Sequence, residues 1–290
     1  MVAVETETTT AIKKPGEISR QKCEQYVQQT TRTPARNLID GGTPTTFQEF
    51  PHMALIGYVS DNQTSWSCGG SLISKNFILT AAHCIKSQLG PPKYVRLGIT
   101  ELSNLTLLQE FHVNQSIPHP EYKFKSKYHD IGLIKLPNDV NVTREVRPAC
   151  LRLEKDIPQK SAIATGWGNV KFIGPSSSHL LKTFFTTKKC NESYQSQIVR
   201  RKSSLKHGIL DELMVCAGSS TAKKNTCQGD SGGPLQLLSI KNSKFLYTVV
   251  GITSFGRACT VGEDNPGIYT RVSAYVPWIE SIVWPDELNS

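Results

Sequence analysis

The 290-residue chain carries 33 Lys and Arg against 24 Asp and Glu, a formal net charge of +9, with 38% hydrophobic and 8% aromatic residues. That is ordinary globular material for one large unit or two smaller ones, and no stretch approaches about eighteen consecutive apolar residues, which argues against a transmembrane helix. The basic residues cluster at Lys188-Lys189 and Arg200-Arg201-Lys202 without interleaved aromatics, a pattern of solvated loops rather than of a nucleic-acid surface.

Residues 1–38 are polar, rich in Thr, Gln and Lys, and show no hydrophobic period, so an extended arm is expected there, a pro-segment or light chain ahead of a domain at 39–290. Met1 to Arg20 has no apolar run of signal-peptide type. From Ile39 onward, short β-branched and aromatic runs alternate with Gly, Pro, Asn and Ser: Met53 to Val59, Ser71 to Thr80, Tyr94 to Leu97, Ile131 to Leu136, Ser161 to Gly166, Tyr247 to Ser254 and Gly267 to Val272. That spacing predicts an all-β sandwich or barrel. The stretch Ser273 to Val283 places Tyr275, Val276, Ile279 and Ile282 at helical spacing and predicts a closing amphipathic helix.

Three segments carry chemistry. Cys227-Gln228-Gly229-Asp230-Ser231-Gly232-Gly233-Pro234 sets a serine in a glycine-rich frame that can turn tightly enough to aim the Gly229 and Ser231 amides at one point. Leu79-Thr80-Ala81-Ala82-His83-Cys84 follows an apolar run with a histidine, a potential general base. His129-Asp130-Ile131-Gly132-Leu133 opens a short apolar strand with an acid able to orient an imidazole. Taken singly, these are a tight turn, a core histidine and a strand-capping aspartate.

Together, in the order His83, Asp130, Ser231, they resemble the chymotrypsin-like serine proteases of the trypsin fold. Further matches are Ile39-Asp40-Gly41-Gly42, Cys68-Gly69-Gly70-Ser71-Leu72, Gly166-Trp167-Gly168, Met214-Val215-Cys216-Ala217-Gly218, Ser254-Phe255-Gly256 and Pro266-Gly267-Ile268-Tyr269, so the likeness covers Ile39 to about Trp284. Within that family, Lys22-Cys23-Glu24-Gln25-Tyr26, Glu49-Phe50-Pro51-His52-Met53 and Arg147-Pro148-Ala149-Cys150 resemble the arthropod clip-domain, snake-like group. A clip domain would bring six more cysteines, and only Cys23 precedes Ile39.

The resemblance implies two six-stranded antiparallel β-barrels, a C-terminal helix and an active site in the cleft between the barrels. It implies Ser231 as nucleophile, His83 as base, Asp130 as orienting acid, and the Gly229 and Ser231 amides as oxyanion donors. It pairs the eight cysteines as Cys68 with Cys84, Cys190 with Cys216, Cys227 with Cys259, and, by remainder, Cys23 with Cys150. Four disulfides indicate an oxidising, extracellular compartment, and Asn-x-Ser/Thr triplets at Asn62, Asn104, Asn114, Asn141 and Asn191 suit a glycosylated chain.

Activation is expected at Leu38-Ile39, freeing an amine to pair with Asp230, so the chain is read as a zymogen. The specificity pocket would have walls at Gly256 and Gly267 and a floor at Asn225, where trypsin-like members carry Asp; a neutral residue is therefore expected before the scissile bond. Implied partners are protein substrates, an upstream activating protease and serpin-type inhibitors within a cascade, with neither nucleic acid nor membrane. No metal or cofactor is expected: the cysteine spacings contain no CxxC pair, and the loop opening Ile99-Thr100 lacks the acid of calcium-binding relatives. A non-catalytic homologue acting as a binding cofactor is the alternative, opposed by the intact triad.

Overall fold

The computed structural model describes residues 13–29, 43–45, 49–158, 161–168, 177–187, 190–199, 204–218, 230–241, 244–256 and 266–288. A helix, α1 (Glu17–Gln29), and a short strand, β1 (Thr43–Pro44), precede the strands of a first sheet: β2 (Met53–Ser60), β3 (Gln63–Leu72), β4 (Phe77–Thr80), β5 (Tyr94–Leu97), β6 (Gln109–His112), β7 (Gln115–Pro118) and β8 (Gly132–Lys135). One helical turn, α2 (Ala82–Ile85), lies between β4 and β5. The order across the sheet is β6-β5-β2-β3-β4-β8-β7. Its two outer members, β6 and β7, are separated in the chain only by Val113 and Asn114, and those residues continue the bonding, Val113 to the Lys93 carbonyl and Asn114 to the Lys135 carbonyl. The sheet is therefore closed by one bent strand shared between its ends, which removes its open edges.

The second sheet contains β9 (Cys150–Leu151), β10 (Ser161–Gly166), β11 (Leu181–Thr187), β12 (Met214–Gly218), β13 (Pro234–Lys241), β14 (Lys244–Phe255) and β15 (Gly267–Arg271), with α3 (Asn191–Ile198) between β11 and β12. Strands run β1-β11-β10-β13-β14-β15-β12, and the β11–β12 pairing closes β10 to β15 into a ring of six, with β1 and β9 added outside it. Thus the fold is the expected pair of β-barrels. Alternation sets which side chains fill them: in β5, Val95 and Leu97 are buried, whereas Tyr94 and Arg96 face outward, Arg96 bonding Glu110 at 2.6 Å and lying 4.2 Å over the Trp66 ring.

Three local expectations change. The run Ser71 to Thr80 is two strands, because the Ser74 hydroxyl accepts the Phe77 N–H at 3.1 Å and turns the chain between β3 and β4. The closing helix begins as a 3₁₀ turn at Val272–Tyr275, and α4 spans Val276–Val283 with Pro277 in its first turn.

The third correction concerns the amino-terminal arm, expected to be extended but helical over Glu17–Gln29. Its sequence has little amphipathic pattern of its own, and the helix is held from outside. Glu280 of α4, 1% exposed, accepts the Gly16 N–H at 2.9 Å through Oε2 and the Ser19 N–H at 2.8 Å through Oε1, so a distant carboxylate caps α1. Ile18 and Val27 are buried, Tyr26 donates to the Ile73 carbonyl, and Cys23 is bridged to Cys150. Replacing Glu280 by Ala strands two helix-start donors. Glu280→Ala should lower stability by roughly 2–4 kcal/mol, a fall on the order of 5–10 °C in the thermal midpoint. Calorimetry checks this, and an unchanged midpoint would show that the cap does not hold the arm.

Candidate active site

β4 is buried along its whole length, and Ala81 leaves it in an extended conformation to start α2, where His83 occupies the second position. The Cys68–Cys84 bridge, with Cα atoms 6.2 Å apart, ties this turn to β3. The histidine thus rests on a covalently braced turn of the first barrel. On the neighbouring antiparallel strand, at the same end as α2, the chain enters β8 through His129 and Asp130, and His129 takes a left-handed φ of +56°.

Asp130 is 3% exposed, and both carboxylate oxygens are engaged. Oδ1 accepts the His83 backbone N–H at 2.9 Å; Oδ2 faces His83 Nδ1 at 2.8 Å and accepts the Ser254 hydroxyl. Thr270 donates to the Asp130 carbonyl at 2.7 Å. Burial pushes the Asp130 carboxyl upward, but electrostatic attraction to the His83 ring and the hydrogen bonds from His83 and Ser254 together outweigh it, holding the group below the usual carboxylate range. An ionised carboxylate only accepts, so Nδ1 carries the imidazole proton and Nε2 keeps its lone pair for a substrate-side proton. Because the carboxyl pKa is depressed on folding, its stabilising contribution is complete above the ordinary value of 3.8 and is lost as the pH falls through the lower folded value.

Ser231 is carried on the turn before β13, wedged between the barrels. Its carbonyl accepts the Gly69 N–H at 2.8 Å, the Gly232 N–H bonds the Thr253 carbonyl at 2.9 Å, and the Thr253 N–H returns to the Gly233 carbonyl at 2.9 Å. Glycine is required at 232, which has φ +78° and lies against Thr80, Gly69 and Cys84, leaving no room for a side chain. At Gly69, a Cβ would press on Gly233 at 3.3 Å. Asp230 turns the opposite way, its carboxylate lying against Gly166 and Gly168 and accepting the Gly168 N–H at 2.9 Å.

A cleft of about 740 Å³ passes His83, Asp130 and Ser254. Its rim is basic and aromatic, with Lys86, Lys125, Lys127 and an exposed Phe124; Lys127 lies 4.9 Å from the Phe255 ring centroid, and burial draws its pKa down. Apart from the paired Asp130, no acidic side chain lines this cleft among the described residues. Gly256 and Gly267, read as pocket walls, are brought together at the ends of β14 and β15, a Cβ on Gly256 falling 4.0 Å from the Gly267 Cα. Cys190 is bridged to Cys216 as the resemblance implied. Leu38, Ile39, Asn225, Cys227, Gly229 and Cys259 lie outside the described residues.

Residues 39–279 match the trypsin family. The chain belongs to that family. It is 38% identical to serine protease snk of Drosophila melanogaster over 92% of the chain, and spans 65% of that relative's length. Among solved structures, mouse neuropsin, described as a serine protease expressed in the limbic system of the brain, aligns over 84% of this chain and 100% of its own with a TM-score of 0.68 and 32% identity. The Drosophila Grass clip serine protease of the Toll pathway aligns over 85% of this chain and 72% of its own, with a TM-score of 0.71 and 26% identity. The likenesses to snk and Grass fit the arthropod clip-protease group read from the sequence.

Within this trypsin-family site, Ser254 is the participant that sequence reasoning did not assign a role. Its segment matched as a landmark, but a serine 124 positions from its acid carries no local signal. If Oδ2 needs both donors to stay ionised and oriented, Asp130→Asn should lower kcat by about 10⁴-fold and Ser254→Ala by about tenfold. Steady-state kinetics on a peptide substrate check both; equal losses from the two changes would contradict the ranking.

Proposed function

We propose that the protein is a secreted serine endopeptidase, made as a zymogen and working in a proteolytic cascade. The observation that carries this reading is the buried Asp130–His83 pair beside an open cleft, with the Ser231 turn bonded to Gly69 and Thr253, the chain neighbours of Cys68, which is bridged to Cys84, and of Ser254, which bonds Asp130. Ser231 Oγ attacks the substrate carbonyl carbon while His83 Nε2 takes the hydroxyl proton, and the resulting oxyanion is received by the Gly229 and Ser231 amides. Collapse breaks the C–N bond as His83 returns the proton to the leaving amine. Water then repeats the sequence on the acyl-enzyme, releasing the acid and restoring Ser231. Protein substrates, an activating protease and serpin-type inhibitors are the partners this role entails.

Activation is assigned to the Leu38-Ile39 bond. Support comes from the family match beginning at residue 39 and from Asp230, whose carboxylate occupies a nest of two glycines suited to a compact terminal amine. An amine reaching this carboxylate would form an ion pair one residue before Ser231 and so tie the new chain terminus to the nucleophile's turn.

Two features bear on substrate choice. The resemblance puts Asn225 at the pocket floor, and Asn carries no charge, so an Arg or Lys entering past Gly256 and Gly267 would miss the carboxylate that trypsin-like members place there, at a cost of several kcal/mol. Lys86, Lys125 and Lys127 along the cleft instead favour acidic side chains flanking the scissile bond. A peptide panel on protein cleaved to begin at Ile39 tests the reading. Neutral residues such as Tyr, Phe, Leu or Met before the scissile bond should exceed Arg in kcat/KM by about a hundredfold. Replacing a flanking Lys by Glu should raise turnover by about tenfold, less so in Lys127→Gln. No hydrolysis of any peptide would overturn the assignment of activity; a clear Arg preference would overturn only the specificity.

A further inference from the structure

A second group of functional side chains lies behind Asp130, outside the cleft. His119 follows β7, Glu121 stands two residues later, and His129 immediately precedes Asp130; one ligating atom of each lies within 4.8 Å of the others. The two imidazoles are stacked, with centroids 5.3 Å apart and planes 12° from parallel.

Both rings are held in place. His119 meets Tyr275 and Trp278 edge-on at 5.1 and 4.9 Å, and its Nδ1 receives the Glu121 backbone N–H at 3.3 Å. His129 Nδ1 faces the Tyr275 hydroxyl at 3.2 Å, leaving Nε2 directed at Glu121 Oε2, 3.6 Å away. At His129 this is the orientation of a metal-ligating histidine, with Nδ1–H able to donate to Tyr275 and Nε2 left for the ion; His119, whose Nδ1 accepts, gives up the 3.3 Å Glu121 N–H contact on taking the ion. The 3.6 Å spacing is also close to the roughly 3.3 Å that two bonds of about 2.05 Å subtend at a tetrahedral ion.

We propose that His119, Glu121 and His129 form a binding site for a divalent transition-metal ion of the zinc type. Two imidazoles and one carboxylate are a borderline donor set that suits Zn²⁺ better than Ca²⁺ or Mg²⁺, with water completing the tetrahedron. Glu121 is exposed and can swing in, and because the stacked rings hold their lone pairs in nearly parallel planes, one ring turns to bring both onto a single ion. The site is mechanically continuous with the acid of the triad. The His119 N–H bonds the Ile131 carbonyl at 2.9 Å, the Ile131 N–H bonds the His129 carbonyl at 2.8 Å, and the left-handed turn between them presents Asp130. An ion at His129 would therefore clamp the turn that carries Asp130.

The test is Zn²⁺ titration by competition with a chromophoric chelator, in a His83→Ala background so that the cleft imidazole contributes nothing. The single variant should take up one Zn²⁺ per chain. Adding His129→Asn, a residue that tolerates the left-handed φ, should weaken binding by about a hundredfold, and adding the surface change Glu121→Gln by about tenfold. Circular dichroism establishes that each variant is folded, and Glu121→Gln keeps the test decisive if His129→Asn is not. Absence of binding in His83→Ala, or equal binding in His83→Ala and the folded double variants, would overturn the proposal. Because binding is read without turnover, its failure is independent of the protease assignment.

Discussion

One buried negative charge organises the active region. Asp130 is removed from water, and a carboxylate in that position is tolerated only while its oxygens are filled by donors in good geometry. The donors come from both barrels: the backbone and ring of His83 from α2, and the Ser254 hydroxyl from the end of β14. Removing one partner of such a group typically costs about 3–5 kcal/mol, so the relative placement of the barrels and the tautomer of His83 are set by the same interaction. Orientation of the base is thus a by-product of satisfying the acid.

The Ser231 turn uses backbone where Asp130 uses side chains. Its contacts are carbonyls and amides of Gly69, Thr253 and Gly233, reachable only because the chain has no Cβ at 69 and 232. Here the two barrels meet main chain to main chain, which fixes Ser231 without committing its hydroxyl. Far from the cleft, Glu280 caps α1 and Cys150 bridges it, so the amino-terminal arm is anchored both by charge and by covalent bond.

How far all this was legible in the chain depends on range. His83, Asp130 and Ser231 stand in segments whose local pattern carries meaning, a small-residue frame around Ser231 and apolar strand runs at His83 and Asp130, and the structure brings those segments to one region. The barrels' strands were visible as alternating runs, but their closure was not, because it depends on a bend at Val113 and Asn114 and on the β11–β12 pairing. The helix α1 was missed for a similar reason: Glu280, 261 positions from Ser19, provides the cap that its own sequence lacks. Ser254 and the His119–His129 stack likewise exist only through tertiary contact.

The central claim is that the Asp130–His83 pair activates Ser231, and covalent labelling reads it most directly. Protein cleaved to begin at Ile39 is treated with a fluorophosphonate, and the adduct is located by peptide mass spectrometry. The account predicts one adduct per chain, on Ser231, abolished by His83→Ala. An adduct on another residue, or labelling of Ser231 that persists undiminished without His83, would contradict it.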